Sequence, residues 1–259
     1  MKPRWVLITG ASSGLGKEFA DLFGRDRWNL VLTARRAERL SSLASDLNLR
    51  RGVKVEVLPA DLTLPEAPVR IVKELEGRGV EVSALVNNAG FGLRGGVQDI
   101  SLEKQAEMIY VNVLALTSLT RLLLPKMLAL GDGGVLNVAS TAAFQPGPYM
   151  AVYYATKAYV LSFTEALAEE VRGSGVKVSC LAPGATETEF AAVADMEGSR
   201  LFRMGAMDPR RVAETGYDAW KRGRVVAVPG LRNRLGAFSV RLTPRFLVRR
   251  LVRLLQSPS

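Results

Sequence analysis

Trp5-Val6-Leu7-Ile8-Thr9-Gly10-Ala11-Ser12-Ser13-Gly14-Leu15-Gly16 is the stretch on which the reading of this chain turns. Its apolar, partly β-branched start reads as a short strand, and a helical pattern begins near residue 15. Between them, glycines at 10, 14 and 16 allow a tight turn and leave backbone N–H groups free at a helix N-terminus. That arrangement suits a phosphate. The spacing differs from the G-x-G-x-x-G of the common dinucleotide fingerprint, and taken alone it also fits a glycine-rich turn without a ligand.

The alternation continues outward. Short β-rich runs fall at 4–9, 29–34, 53–58, 82–87, 133–139, 176–181 and 224–229. Helical patterns lie between them at 15–24, 36–47, 66–77, 103–130, 152–173 and 209–222. Several of the runs are continuously apolar, as strands covered on both faces are. The pattern predicts an α/β fold: a doubly wound parallel sheet of about seven strands between two helical layers. With no internal repeat or low-complexity linker, residues 1–259 read as one domain.

Composition removes whole chemistries. There is no His and a single Cys among 259 residues. A disulfide framework, a His-based zinc site, a Ser-His-Asp triad and a Cys-His pair are excluded, and no metal site is expected. Proton transfer falls to Tyr, Lys, Asp or Glu. The net charge of +10 is uneven: residues 200–259 carry 14 Lys/Arg against 3 Asp/Glu, so the rest is close to neutral. A neutral body with a basic end points to a localised surface. The N-terminal apolar run is too short for a signal sequence, no stretch reads as a membrane span, and the cytoplasm is the expected location.

The second strand ends in Thr33-Ala34-Arg35-Arg36. NAD-binding chains place a carboxylate there for the ribose hydroxyls. A guanidinium fork instead suits a 2′-phosphate, so NADP is the expected cofactor. A solvated basic helix start is the alternative, at a small cost because Arg in a first turn opposes the helix dipole.

Tyr153 and Lys157 stand four apart in a helical pattern and share a face. A phenol titrates near about 10, whereas a cation about 4 Å away contributes on the order of 4 kcal/mol at an effective dielectric near 20. That is worth roughly three units and predicts a Tyr153 titrating near about 7, where a general acid-base works best. Ser140 ends the strand Val135-Leu136-Asn137-Val138-Ala139, on the edge where open parallel sheets bind ligands.

Taken together, Thr9-Gly10-x-x-x-Gly14-x-Gly16, Asp61-Leu62, Asn87-Asn88-Ala89-Gly90, Asn112, Ser140, Tyr153, Lys157 and Pro183-Gly184 resemble the landmarks of a single-domain short-chain dehydrogenase/reductase. The resemblance spans about residues 5–190 and implies a Rossmann-type fold and an NADP-dependent enzyme that interconverts a carbonyl and an alcohol. It implies that Tyr153 passes the proton while hydride moves at the nicotinamide. Lys157 would lower the phenol pKa and hold the ribose, Ser140 would bond the carbonyl oxygen, and Asn112 would hold a relay water. Thr9, Ser12, Ser13 and Leu15 would join the glycines around the phosphates, with Arg35 and Arg36 on the 2′-phosphate. Asp61 and Leu62 would meet the adenine, and Asn88, Ala89 and Gly90 the adenosine ribose. Pro183, Gly184, Thr186 and Thr188 would flank the nicotinamide. Asn87 to Gly90 also fits a strand-ending turn, and Asn112 a bond to the backbone of a kinked helix. A dimer or tetramer through 103–130 and 152–173 is further implied. An NADP-binding sensor or scaffold without turnover is the rival reading.

Substrate choice is expected from Phe91 to Gln98, Thr141 to Met150 and a lid at 185–207 carrying Phe190, Met196, Leu201, Phe202, Met204 and Met207. Flexible apolar side chains there suggest a hydrophobic small-molecule carbonyl, although ordinary lid packing fits them equally. The chain departs from the 3-oxoacyl reductase branch after Val225 and ends in a basic amphipathic segment at 240–259. Phe246, Leu247, Leu251, Leu254 and Leu255 form its expected apolar face, edged by Arg249, Arg250 and Arg253. Packing on the body or a partner subunit, lying on an anionic membrane and binding nucleic acid are all open to it, and no nucleic-acid motif supports the last.

Overall fold

The computed structural model describes residues 3–194 and 205–256. Strands β1 (Trp5–Thr9), β2 (Asn29–Thr33), β3 (Val55–Val57), β4 (Val82–Asn87), β5 (Gly134–Val138), β6 (Lys177–Leu181) and β7 (Val226–Ala227) form one sheet. Their spatial order is β3-β2-β1-β4-β5-β6-β7, and every pair is parallel. The chain thus winds outward in both directions from the β1/β4 junction, where the carboxyl ends of the strands leave a crevice. This is a Rossmann-type α/β fold.

The strands are apolar throughout because both sheet faces are buried. Val6, Ile8, Leu30 and Leu32 point into one core with Phe19, Phe23 and Tyr217. Trp5, Leu7 and Val31, the alternate positions, point into the other with Ile71, Leu119 and Leu123. Helices α1 (Gly14–Arg25), α2 (Ala37–Arg51) and α8 (Pro209–Lys221) cover the first face. Helices α3 (Ala67–Gly77), α5 (Leu116–Leu130) and α6 (Ala151–Glu170) cover the second. Period-two alternation of side-chain direction turns a uniformly buried run into a two-sided wall.

Several details differ from the sequence reading. The last strand is only Val226–Ala227, a short edge. The long helix at 103–130 is three joined pieces: α4 (Leu102–Ile109), a π-helical turn at Tyr110–Ala115 and α5. By length and composition Leu102–Leu130 is long and apolar enough to cross a membrane, with a mean hydropathy of 1.5 over an 18-residue window, which the sequence reading did not anticipate. Its inward side chains Val111, Ala115, Leu119, Leu123 and Met127 belong to the core. Beyond a short α7 (Phe190–Val193), two helices close the chain, α9 (Leu231–Leu242) and α10 (Arg245–Gln256). The first of these had no counterpart in the sequence reading.

Candidate active site

A cavity of about 420 Å³ opens at the carboxyl edge of the sheet. The first six strands deliver their following residues there: Gly10 and Ser12 to Leu15 after β1, Ala34 to Arg36 after β2, and Ala60 to Thr63 after β3. Asn88 to Phe91 follow β4, Ala139 to Ala142 follow β5, and Pro183 to Thr186 follow β6, with Thr188 beyond. Thr9, Gly16 and Asn112 stand behind this wall; the other candidate residues line it.

The glycine turn is built for close approach. Gly10 has φ +65° and Gly14 φ +51°, backbone that L side chains rarely adopt. A Cβ on Gly16 would stand 2.2 Å from the Gly10 carbonyl oxygen, so only glycine lets helix α1 start against the turn. Asn88 pins the turn from across the crevice, its Nδ2 donating to the carbonyls of Thr9 (2.9 Å) and Gly10 (3.2 Å). The Thr9 hydroxyl accepts from the backbone N–H of both Asn88 and Ala89 at 3.0 Å. Ser13, which caps α1, makes no side-chain bond to the helix and leaves the first turn's donors open.

At the β2 end Arg36 is already oriented. Its guanidinium donates to the hydroxyls of Ser12 (3.1 Å) and Ser13 (3.0 Å) and to Glu189 (2.8 Å). Glu189 takes a second bond from Arg39. The two guanidiniums, Arg39 first, hold its carboxyl below the usual range. These pairs are exposed and contribute little to stability; their effect is to position. Arg35 lines the cavity beside them. Asp61 takes bonds at one oxygen from the backbone N–H and hydroxyl of Thr63, at 3.0 and 2.9 Å.

The other end holds the proton chemistry. Tyr153 and Lys157 are both buried on α6, at 7% and 5% exposure. The Lys157 Nζ donates to the Val138 carbonyl at 2.9 Å and sits 5.8 Å from the Tyr153 ring centroid. The Ser140 hydroxyl accepts from the Ala142 N–H at 3.1 Å, which fixes it at the strand end. The expected fall of the phenol to near 7 is not what this geometry produces. Burial pushes the Tyr153 phenol well above its ordinary value, against a smaller opposing pull from Ser140 beside it. Burial likewise pushes Lys157 down, to about 8. The pairwise attraction foreseen from spacing loses to desolvation, which disfavours both charged forms at once.

Asn112 lies in the π-helical turn, at 1% exposure. Its Oδ1 accepts from the Phe91 N–H, and its Nδ2 donates to the Phe91 carbonyl and the Thr156 hydroxyl. The amide therefore straps the loop after β4 to α6. Three loops expected to face the substrate meet nearby: a Cβ on Gly92 would come within 3.1–3.2 Å of Phe190, Tyr153 and Met150. Thr186 bonds the Gly184 carbonyl, and Thr188 packs on Gly14. Met207 pairs back onto Ala185 and packs away from the cavity, against the core under α8. Met196, Leu201, Phe202 and Met204 lie outside the described residues.

The final helix closes the site with a face other than the expected one. Val248, Val252 and Gln256 are buried against Tyr153, Tyr154 and Met150, whereas Phe246, Leu247, Leu251 and Leu254 are exposed; the Leu255 side chain lies outside the described ones. Gln256 is fully buried, lines the cavity, and donates from Nε2 to the Tyr154 hydroxyl at 2.8 Å. Its Oε1 has no hydrogen-bond partner among the described residues. Gln256, Tyr154 and Glu189 escaped the sequence reading, since no local pattern links them to the residues they touch.

The residues present fit a dinucleotide with an extra phosphate: an open helix N-terminus beside a turn no Cβ enters, and arginines at the second strand end. Residues 4–197 match the family described as short chain dehydrogenase. A sulfoacetaldehyde reductase of Chromohalobacter salexigens is 40% identical over 190 residues, 73% of this chain and 75% of that one. A short-chain dehydrogenase from Sphingobium yanoikuyae, solved with NADPH, superposes with a TM-score of 0.82 at 34% identity over 92% of each chain. A 7β-hydroxysteroid dehydrogenase structure superposes with a TM-score of 0.87 at 27% identity over 96% of each. Sheet order, glycine turn, the Ser140, Tyr153 and Lys157 constellation and these relatives agree: the chain belongs to the short-chain dehydrogenase/reductase family.

Proposed function

We propose that this oxidoreductase uses NADP(H) to interconvert a carbonyl and an alcohol on a largely apolar small molecule. The observation that carries this reading is the cavity itself, which has Arg35 and Arg36 at one end and Ser140, Tyr153 and Lys157 at the other. Bound NADPH would supply the hydride. The glycine turn and the arginines hold and orient it. Tyr153, kept as a phenol by burial, holds a proton ready for a carbonyl oxygen. Ser140 offers that oxygen a hydrogen bond as charge develops. Lys157 stabilises the phenolate that remains, and α10 with Phe190 keeps water away.

Lys157 sets the pH dependence. Its ammonium, lowered to about 8, is charged below that pH and neutral above it. Reductive kcat is therefore expected to be level below about pH 8 and to fall toward tenfold per unit above it. Alcohol oxidation, which needs the phenolate beside the Lys157 ammonium and so one proton fewer than reduction, is expected to rise up to about pH 8 and to level off above it. Following NADPH absorbance over a panel of aldehydes and ketones, graded from small and polar to long and apolar, tests the reading with NADH as control. Tight NADPH binding with no turnover across the panel would favour a sensor or scaffold instead.

Gln256 refines the substrate. A buried acceptor without a partner is costly, and a hydroxyl or amine on an otherwise apolar substrate would satisfy it. Gln256→Leu is expected to raise KM about three- to tenfold for ketones bearing such a donor and to leave donor-free ketones nearly unchanged. Equal changes in both would remove this assignment. Exposed apolar residues on the long helix, Ile109, Leu114, Leu128 and Leu130, support assembly through this helix.

A further inference from the structure

Helices α9 and α10 each have two opposed faces. On α9, Val240 packs inward against the cluster that contains Tyr153 and Tyr154. Leu231, Leu235, Phe238 and Leu242 recur at helical spacing on the opposite side and are 59–74% exposed. On α10, Val248 and Val252 pack on the same cluster. Half a turn away, Phe246, Leu247, Leu251 and Leu254 are 45–64% exposed. Eight large apolar side chains therefore point away from the body along two consecutive helices. Exposed apolar surface of this extent is uncommon on a molecule that meets only water.

The charged side chains on the two helices are of one sign. Arg232, Arg234, Arg241, Arg245, Arg249, Arg250 and Arg253 are exposed along the same helices. Asp218 is the last acidic residue in the chain. A second copy seated face to face would set the arginines of these helices against one another with no Asp or Glu on either helix to pair them. Nucleic acid would satisfy the arginines and leave the leucines in water. An apolar stripe flanked by arginine is satisfied on both counts by an anionic lipid surface, with side chains among the acyl chains and guanidiniums at the phosphates.

We infer that the outer faces of α9 and α10 form a docking surface for an anionic membrane. The inner face of α10 carries Gln256 and closes the substrate cavity, so docking brings that cavity to the bilayer.

The test is co-sedimentation of the full chain with vesicles of equal parts phosphatidylcholine and phosphatidylglycerol, or of phosphatidylcholine alone. Strong binding to the first at low salt is expected, at least about tenfold weaker binding to the second, and release by salt. Each arginine near such a surface contributes about fivefold, so Arg249→Gln with Arg250→Gln is expected to weaken partition about 25-fold. Leu235→Glu with Leu251→Glu is expected to abolish it while thermal midpoint and NADPH oxidation stay unchanged, because both side chains are exposed and neither lines the cavity. Absence of binding to anionic vesicles at low salt overturns the proposal. So does a chain that ignores vesicles and falls to a smaller oligomer in the Leu235→Glu, Leu251→Glu variant, which would make this face a contact between copies. Since vesicle binding is read without turnover, a failed carbonyl panel leaves it standing and its own failure leaves the enzymatic reading intact.

Discussion

Tyr153→Phe is expected to lower kcat for carbonyl reduction about 10²- to 10⁴-fold, the range a positioned general acid contributes. NADPH affinity is expected to stay within about twofold, since the lost group is a phenol oxygen at the substrate end of the cavity. The fold should tolerate the change. The ring packs on Phe190 at 5.4 Å and on Tyr154 at 6.1 Å between centroids, and phenylalanine keeps both contacts. Removing a buried hydroxyl also relieves a desolvation cost. Single-turnover rates beside an NADPH titration separate chemistry from binding. A variant that keeps more than a tenth of the wild-type rate would mean that the proton comes from elsewhere. With no His in the chain, few other groups are available.

Arg35→Ser with Arg36→Ser is expected to raise KM for NADPH about 10- to 150-fold and to leave NADH nearly unaffected. A charge-assisted hydrogen bond contributes about 1.5–3 kcal/mol, and 1.4 kcal/mol is a factor of about ten. Part of the effect comes from preorganisation. Arg36 is held by Ser12, Ser13 and Glu189 before any phosphate arrives, so little rotamer freedom remains to be lost. Initial rates with the two cofactors at a fixed carbonyl concentration read the ratio directly. Parallel losses with NADPH and NADH would show that the arginines support the turn rather than select the phosphate.

What was legible in the sequence was local or repeated. A strand running into three glycines, Tyr153 and Lys157 one helical turn apart, and Ser140 at a strand end are short-range patterns, and the topology of a doubly wound sheet brings them to one edge. The contacts that close the site are not short-range. Gln256 reaches Tyr154 across 102 positions, and Glu189 reaches Arg36 across 153. Helical spacing marked α10 as two-faced but not which face is buried: the leucines were the stronger signal, and the valines are the ones inside. The π-helical turn around Asn112 leaves no compositional trace, since it only displaces hydrogen bonds by one residue. The titration of Tyr153 was misjudged for a related reason. Spacing gives the distance between charges, whereas burial sets their hydration, and burial was the larger effect here.

Met207 gives the segment before it an engineering meaning. Its N–H donates to the Ala185 carbonyl at 2.9 Å, and its own carbonyl accepts from the Glu187 N–H at 3.0 Å. Both ends of the stretch at 188–206 are thereby stapled to each other beside the sheet. A chain with its ends already joined can change in length cheaply, since each doubling costs only about 0.6 kcal/mol in closure entropy. The part of the stretch beyond Phe190 is therefore the exchangeable part. Segments of different size and polarity grafted between Phe190 and Met207 are expected to change substrate choice, while Thr188, Glu189 and Phe190 keep their contacts with the glycine turn, Arg36 and Tyr153.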